Sequence, residues 1–309
     1  MFKFQWKRLG LVAGLSFTLL AAGCGGADQE NGGQTDTDGN AEVNYGKELG
    51  YEIIGIEPGA GVVKATEKAL EEYENLNNWE VRTSSSGAMA TTLGQAIKSE
   101  KPIIVTGWTP HWKFAKYDLK YLEDPKGVFG KEEVIKTMVR KGLKEDKPNA
   151  YKILDQFNWT TEDMESVMLA REEGASIEEA AKTWVKDNED KVAEWIKGTK
   201  KVDGEEIELV FVEWDSEIAS TNVIGEVLRN QGFEVKLTPL DNAIMWQSVA
   251  KGEADGTVAA WLPATHGDLY EQYKDDLVDL GENLKGAKIG LVVPEYMEID
   301  SIEDLQPAK

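Results

Sequence analysis

Two stretches of this chain repeat one another, and that duplication restricts the fold more than any other feature. Residues 52–112 contain EIIGIEPGAGVVKATEKALEEY and then NNWEVRTSSSGAMATTLGQAIKSEKPIIVTGWTPHW. Residues 208–266 read ELVFVEWDSEIASTNVIGEVLRNQGFEVKLTPLDNAIMWQSVAKGEADGTVAAWLPATH. Each copy opens on a short apolar strand, Ile53–Ile56 or Leu209–Val212. An amphipathic helix follows, marked by Val62, Val63, Ala69 and Leu70 or by Ile218, Val223, Ile224, Val227 and Leu228. Next come a second strand (Trp79–Thr83 or Phe233–Thr238), a second helix (near Ala88–Lys98 or Ala243–Lys251) and a closing strand (Ile103–Thr106 or Gly256–Ala260). The closing strand runs into Gly-Trp-Thr-Pro in one copy and Ala-Trp-Leu-Pro in the other. Two β-α-β-α-β units predict α/β architecture with mostly parallel sheets flanked by helices. Ligands in such sheets sit beyond the carboxyl ends of the strands. The residues to inspect are therefore Trp108, Trp214, Trp261 and the turn Gly55–Gly59.

The folded part, about 46–309, is large for one simple core and predicts two lobes. The segment 131–200 reads mostly helical, with a crossing between lobes near 131–142 and helices over Asn149–Phe157, Glu162–Glu173 and Ile177–Ile196. Ser176 and Glu179 form a capping box, and Gly174 is placed to stop the preceding helix. Ala287–Val293 reads as a strand returning to the first lobe. The lobes are then 46–130 plus 286–309, and 131–285.

The beginning of the chain reads as an export segment. Lys3, Lys7 and Arg8 precede an apolar run that ends Leu20-Ala21-Ala22-Gly23-Cys24, small residues before the chain's one cysteine. Residues 1–23 are expected to be a lipoprotein signal peptide, and Cys24 the lipidated residue that anchors the chain on the extracellular face of the cell membrane. Residues 24–45, rich in Gly, Asp, Asn and Gln, predict a disordered tether. A net charge of −22 argues against nucleic acid as a partner.

Ten tryptophans invite a functional reading, but Trp79, Trp159, Trp184, Trp195 and Trp246 lie in patterned segments and are expected to pack. Trp108, Trp214 and Trp261 lie instead beside Gly, Pro and Asp at strand exits. Three indole faces suit a quaternary ammonium, which has no N–H to donate and spreads its charge over methyl groups. A primary amine would need fixed acceptors to replace its hydration. The turn Gly55–Gly61, opening a helix, offers backbone N–H groups to an anion, and His266, five residues after Trp261, can donate to the same group. His111 is the weaker candidate. No metal-ligand cluster and no nucleophile elbow is found, and nothing calls for a cofactor.

The stretches IGIEPGAG (54–61), TGWTPHW (106–112), WDSEIASTN (214–222), Trp261-Leu262-Pro263 and GLVVP (290–294) resemble the glycine betaine-binding lipoproteins of Gram-positive osmoprotectant importers. The similarity covers about 50–306. It implies a two-lobed, venus-flytrap fold of the type II periplasmic-binding-protein kind. It implies a prism of Trp108, Trp214 and Trp261 around a trimethylammonium, and a carboxylate held by the N–H groups of Gly55 and Ile56 and by His266. It further implies delivery to an ABC transporter permease. Glu57 stands where some relatives carry Asp, a change expected to matter little. The same fold taking choline, carnitine, proline betaine or a dimethylsulfonium solute is the nearest alternative. A carbohydrate-active enzyme using Glu57, Glu213, Asp215 or Glu217 is the alternative of another class.

Overall fold

The computed structural model describes residues 44–308. The expected signal segment 1–23, Cys24 and nearly all of the tether 24–45 lie outside the described residues. The Asn44 side chain caps the short helix α1 (Tyr45–Glu48). The Tyr45 hydroxyl accepts from the Glu298 amide at 2.9 Å, tying the start of the fold to its end.

The first copy contains β1 (Glu52–Ile54), α2 (Gly61–Glu72), β2 (Glu80–Arg82), α3 (Ser86–Lys98) and β3 (Val105–Thr109). The short α4 (Trp112–Lys116) and β4 (Leu119–Tyr121) follow. Then come β5 (Glu133–Arg140), α5 (Leu143–Asp146), α6 (Pro148–Gln156), α7 (Thr161–Glu172), α8 (Ile177–Asp187) and α9 (Glu189–Trp195). The second copy is β6 (Glu206–Phe211), α10 (Asp215–Asn230), β7 (Glu234–Pro239), α11 (Asn242–Ala250) and β8 (Gly256–Leu262). Helix α12 (Gly267–Tyr273) and β9 (Leu277–Pro294) complete the chain's main elements.

Both copies form the parallel β-α-β-α-β arrangement read from the repeat: β1 pairs with β2 and β3, and β6 with β7 and β8. The strand order is β2-β1-β3-β9-β5-β8-β6-β7, with β4 on β9. β9 is the member that joins the copies. Its first part, to Ala287, pairs antiparallel with β5, and from Lys288 it pairs antiparallel with β3. The two outer ends of this sheet are thus separate parallel units, and one long strand passes from one to the other.

Within the stretch 131–142, read as a crossing between lobes in a mostly helical segment, Glu133–Arg140 forms the strand β5. Val134, Ile135, Thr137 and Val139 explain it, because β-branched side chains lose little freedom on a pleated surface. The expected helix Ile177–Ile196 is two helices. Asn188 interrupts it, its side-chain amide donating to the Trp184 carbonyl at 2.8 Å in competition with the helical backbone. The Ser176–Glu179 capping box forms as read, and Gly174 ends α7 with φ +111°. Trp159, Trp184 and Trp195 pack with Phe157 in one aromatic cluster, Trp184 and Trp195 stacked at 5.6 Å. That cluster fixes α6, α8 and α9 around the second copy. Each such buried aromatic contributes about 2 to 3 kcal/mol of apolar burial.

Candidate functional site

The three tryptophans singled out in the sequence line one apolar cavity. Trp108, Trp214 and Trp261 surround it with Ile56, Ala60, Gly61, Val62, Thr265 and Ile289. Trp108 comes from the unit built on β1–β3, and Trp214 and Trp261 from the unit built on β6–β8. The Trp108 and Trp214 rings lie 6.5 Å apart and inclined at 49°.

Two of the three do not sit on loops, as their neighbours in sequence had implied. Trp108 is inside β3 and Trp261 inside β8, because antiparallel pairing with β9 and β5 carries both strands past the point where the parallel partners end. Trp214 alone is outside a strand, at the residue preceding α10. The two closing strands end alike, with cis peptide bonds at Thr109–Pro110 and Leu262–Pro263.

Each indole N–H is fixed by a partner away from the ring faces. Trp108 Nε1 donates to Ser216 Oγ at 3.2 Å, Trp214 Nε1 to Glu57 Oε1, and Trp261 Nε1 to Glu217 Oε1. The first two bonds run between the units. A buried indole whose N–H is satisfied can hold one orientation and present its face to the cavity. Glu57, the residue that stands where some relatives carry Asp, positions Trp214, and its carboxylate reaches across from the β1–α2 turn to do so.

His266 is fully buried and stacks on Trp214 at 5.7 Å with an interplanar angle of 18°. Its Nδ1 accepts the Trp261 backbone N–H at 3.0 Å, so the ring proton is on Nε2, which has no partner among the described residues. Burial, with a smaller contribution from Lys64, lowers its pKa to about 3. It is a neutral donor packed behind Trp214 and is not itself among the residues lining the cavity.

The two amides expected at the anion end differ. Gly55 N–H is engaged by the Arg82 carbonyl at 2.9 Å, which continues the β1–β2 pairing, so it is not a free donor. Gly55 matters for its lack of a side chain, since a Cβ there would lie 2.9 Å from Val81 Cγ1. Ile56 N–H takes no partner in the hydrogen-bond network of the described residues. The turn it belongs to abuts the second copy: a Cβ on Gly61 would fall 2.7 Å from the Thr265 carbonyl oxygen. Only glycine lets the α2 N-terminus approach the 263–266 loop this closely.

A family model described as the substrate-binding domain of ABC-type glycine betaine transport systems, OpuAC, matches residues 30–187 and 205–309. The chain belongs to this family. The OpuAC-family chain is 52% identical over 301 residues, 97% of each protein, to the glycine betaine/carnitine transport binding protein GbuC of Listeria monocytogenes. Lactococcal OpuAC, solved closed and complexed with glycine betaine, is 55% identical with a TM-score of 0.44 over 48% of this chain and 58% of that one. The glycine betaine, L-proline-binding protein ProX of Borrelia burgdorferi is 30% identical, with a TM-score of 0.44 over 50% and 58%.

In this OpuAC-family chain, what sequence reasoning missed is that Ser216, Glu57 and Glu217 anchor the three indoles. Ser216 and Glu217 directly follow Trp214-Asp215 in the first turn of α10, and both are buried. Asp215 pairs with Arg171 at 2.6 Å and lies 3.4 Å from His111, a contact that bridges the units. Burial lowers the His111 pKa to about 4. His111 is a neutral neighbour of Trp108, at 4.7 Å edge to face, and lines no part of the cavity. The signal available was the polar run Asp215-Ser216-Glu217 placed against a predicted ligand wall.

Proposed function

We propose that this chain captures glycine betaine, or a close quaternary-ammonium solute such as carnitine, and delivers it to the permease of an ABC importer. The single observation that carries the reading is the cavity walled by Trp108, Trp214 and Trp261, with every indole N–H engaged elsewhere. Such a wall has no hydrogen-bond acceptor to offer a primary ammonium, whereas a trimethylammonium asks only for ring faces. Each desolvated face contributes about 2 kcal/mol. The carboxylate end of the ligand meets the N–H of Ile56 and Nε2 of His266, while Gly55 gives the turn its close packing. GbuC of Listeria, 52% identical, is named for glycine betaine and carnitine, which supports this ligand class.

The ligand acts as the latch between lobes 46–130 plus 286–309 and 131–285. Trp108 stands on one and Trp214 and Trp261 on the other, and β9 passes between them at Ala287–Lys288. Closure completes the cage, so ligand selects the closed form. We assign the chain to the extracellular face of the membrane, anchored through a lipid on Cys24. Among the described residues no helix is long and apolar enough to cross a membrane. Glu57 and Glu217, weighed as acids of a glycosidase, serve here as indole acceptors.

Titration calorimetry and intrinsic fluorescence with glycine betaine, carnitine, choline and maltose test this reading. Saturable binding of betaines, weaker binding of choline and none of maltose is expected. Alanine at any one of the three cage tryptophans should weaken glycine betaine binding about thirtyfold, the equivalent of about 2 kcal/mol. Choline binding as tightly as glycine betaine would overturn the anion end. Maltose binding alone would overturn the whole assignment.

A further inference from the structure

One buried carboxyl, Glu217, stands behind the cage and holds two of its indoles. Glu217 Oε1 accepts the indole N–H of Trp261. Its Oε2 accepts Ser216 Oγ–H at 2.6 Å, and Ser216 Oγ in turn accepts the indole N–H of Trp108 at 3.2 Å. The Ser216–Glu217 pair thereby connects two of the three indoles, one from each copy of the repeat. A carboxylate on an indole N–H pushes electron density into the ring and deepens the negative potential over its face. In a fully buried site that charge is not screened by water.

We propose that Glu217 is the counter-charge of the cage: as a carboxylate it strengthens the hold of Trp108 and Trp261 on a dispersed cation, and cation capture and Glu217 ionisation are linked. This rests on the reading of the cavity as a quaternary-ammonium site. Linkage is reciprocal: ionised Glu217 binds the cation more tightly, and the bound cation holds Glu217 ionised. Proton uptake by Glu217 then competes with the ligand. Affinity rises with pH as Glu217 ionises and levels off once it is ionised in the free protein, and binding releases protons in that range.

The surroundings permit this titration near neutrality. Burial pushes the Glu217 pKa up to about 7, against the bonds from Ser216 and Trp261 that favour the ionised form. Asp215, on the same helix, adds to the upward push and is itself paired with Arg171 of α7. Among the described residues Glu217 makes no ion pair, and no charged side chain of α6, α8, β6, β7 or β8 hydrogen-bonds to it. The other ionisable groups about the cage are Glu57 on the β1–α2 turn, Lys64 on α2, His111 and Lys113 after β3, Glu133 of β5, which accepts from Thr265, Glu165 of α7, whose pKa burial raises, and His266 after β8. The histidines, lowered by burial to about 4 and about 3, stay neutral above about pH 5. Lys113 is the rival. Its Nζ lies 4.2 Å from the Trp108 ring centroid, and burial lowers its pKa to about 7, so its protonation would also repel a cation in acid.

The deciding experiment is titration calorimetry with glycine betaine from about pH 5.5 to about pH 8.5, in two buffers of different ionisation heat, on wild type, Glu217→Gln and Lys113→Met. Wild type should lose affinity on acidification, by at most about tenfold per pH unit, with proton release on binding. Glu217→Gln should bind at least about tenfold more weakly at the alkaline end and show neither pH slope nor proton release. Lys113→Met should keep both. A Glu217→Gln variant that keeps the wild-type slope gives Glu217 a packing role only and overturns the proposal. So does a slope that vanishes in Lys113→Met, or a wild type that binds without any slope. If Glu217→Gln fails to fold, Ser216→Ala decides: losing a donor to the carboxylate must shift the wild-type slope to higher pH, and an unmoved slope overturns the proposal. Wild type that binds no glycine betaine at any pH refutes the cage reading itself, an outcome distinct from binding without a slope.

Discussion

Trp261 and His266 hold one another through two backbone contacts: the Trp261 amide donates to His266 Nδ1 at 3.0 Å, and the His266 amide donates to the Trp261 carbonyl at 3.0 Å. The first contact fixes the tautomer of the imidazole and the second closes the turn that carries it. One wall of the cage proposed for the ammonium and the donor proposed for the carboxylate are thus a single local unit. Trp246, edge to face with the His266 ring at 5.6 Å, and Trp214, stacked on it, clamp the ring from two sides.

His266→Ala is therefore expected to discriminate between ligands. Loss of a hydrogen bond to a carboxylate costs about 1.5 to 3 kcal/mol, so glycine betaine affinity should fall roughly tenfold to a hundredfold. Choline, lacking the carboxylate, should lose little. Equal losses for both ligands, measured by calorimetry, would assign His266 to packing alone.

The same residue sets a pH dependence of stability. Its folded-state pKa, about 3, lies below the ordinary value of 6.5. Between those values the unfolded chain binds a proton that the folded chain refuses, so stability falls as pH falls through that window and is fully present above it. Denaturant unfolding should show the stability gap between wild type and His266→Ala narrowing from about pH 6.5 downward. A gap independent of pH would contradict the buried neutral imidazole.

Glu57 offers a test of contact between the units. Its carboxylate on the β1–α2 turn accepts the indole N–H of Trp214 from the other unit. Glu57→Gln keeps an acceptor and should weaken glycine betaine binding only a few-fold. Glu57→Ala leaves the indole N–H without a partner and should cost about tenfold or more. Indistinguishable affinities for the two variants would show that the bond does not hold Trp214 in place.

Lys113 is buried with no hydrogen-bond partner among the described residues, and burial lowers its pKa to about 7. For this base the folded value lies below the ordinary 10.5, so the unfolded chain binds the extra proton between them and stability rises with pH from about 7 to about 10. Lys113→Met removes the cost of burying an amine. Thermal melts should show a higher Tm than wild type near neutral pH and no rise with pH through that range. A lower Tm would mean that the amine's contact with the Trp108 ring outweighs its desolvation.

The repeat made the parallel units and their helices legible, because strand and helix periods are local properties of Ile53, Val62, Val210 or Val223 and their neighbours. That Trp108, Trp214 and Trp261 come together was legible for the same reason: the strand-end positions of the two copies converge on one cavity. Their place inside β3 and β8 was not, since those strands are prolonged by β9 and β5, partners distant in sequence. The hydrogen bonds that orient the indoles were also out of reach. No spacing rule tells that Ser216 faces Trp108, Glu57 faces Trp214 and Glu217 faces Trp261. Nor did the sequence tell that Gly55 N–H, at a turn, continues the β1–β2 pairing by donating to the Arg82 carbonyl.

The most direct test of the cage compares glycine betaine with 3,3-dimethylbutanoate, which keeps the carboxylate and the three methyl groups but replaces the ammonium nitrogen with carbon. Shape, apolar area and the anion end are nearly the same, so calorimetric affinities isolate the attraction of Trp108, Trp214 and Trp261 for positive charge. The account predicts that glycine betaine binds at least about a hundredfold more tightly, since three desolvated ring faces each contribute about 2 kcal/mol. Comparable affinities for the two would contradict it and reduce the cavity to a hydrophobic mould for three methyl groups.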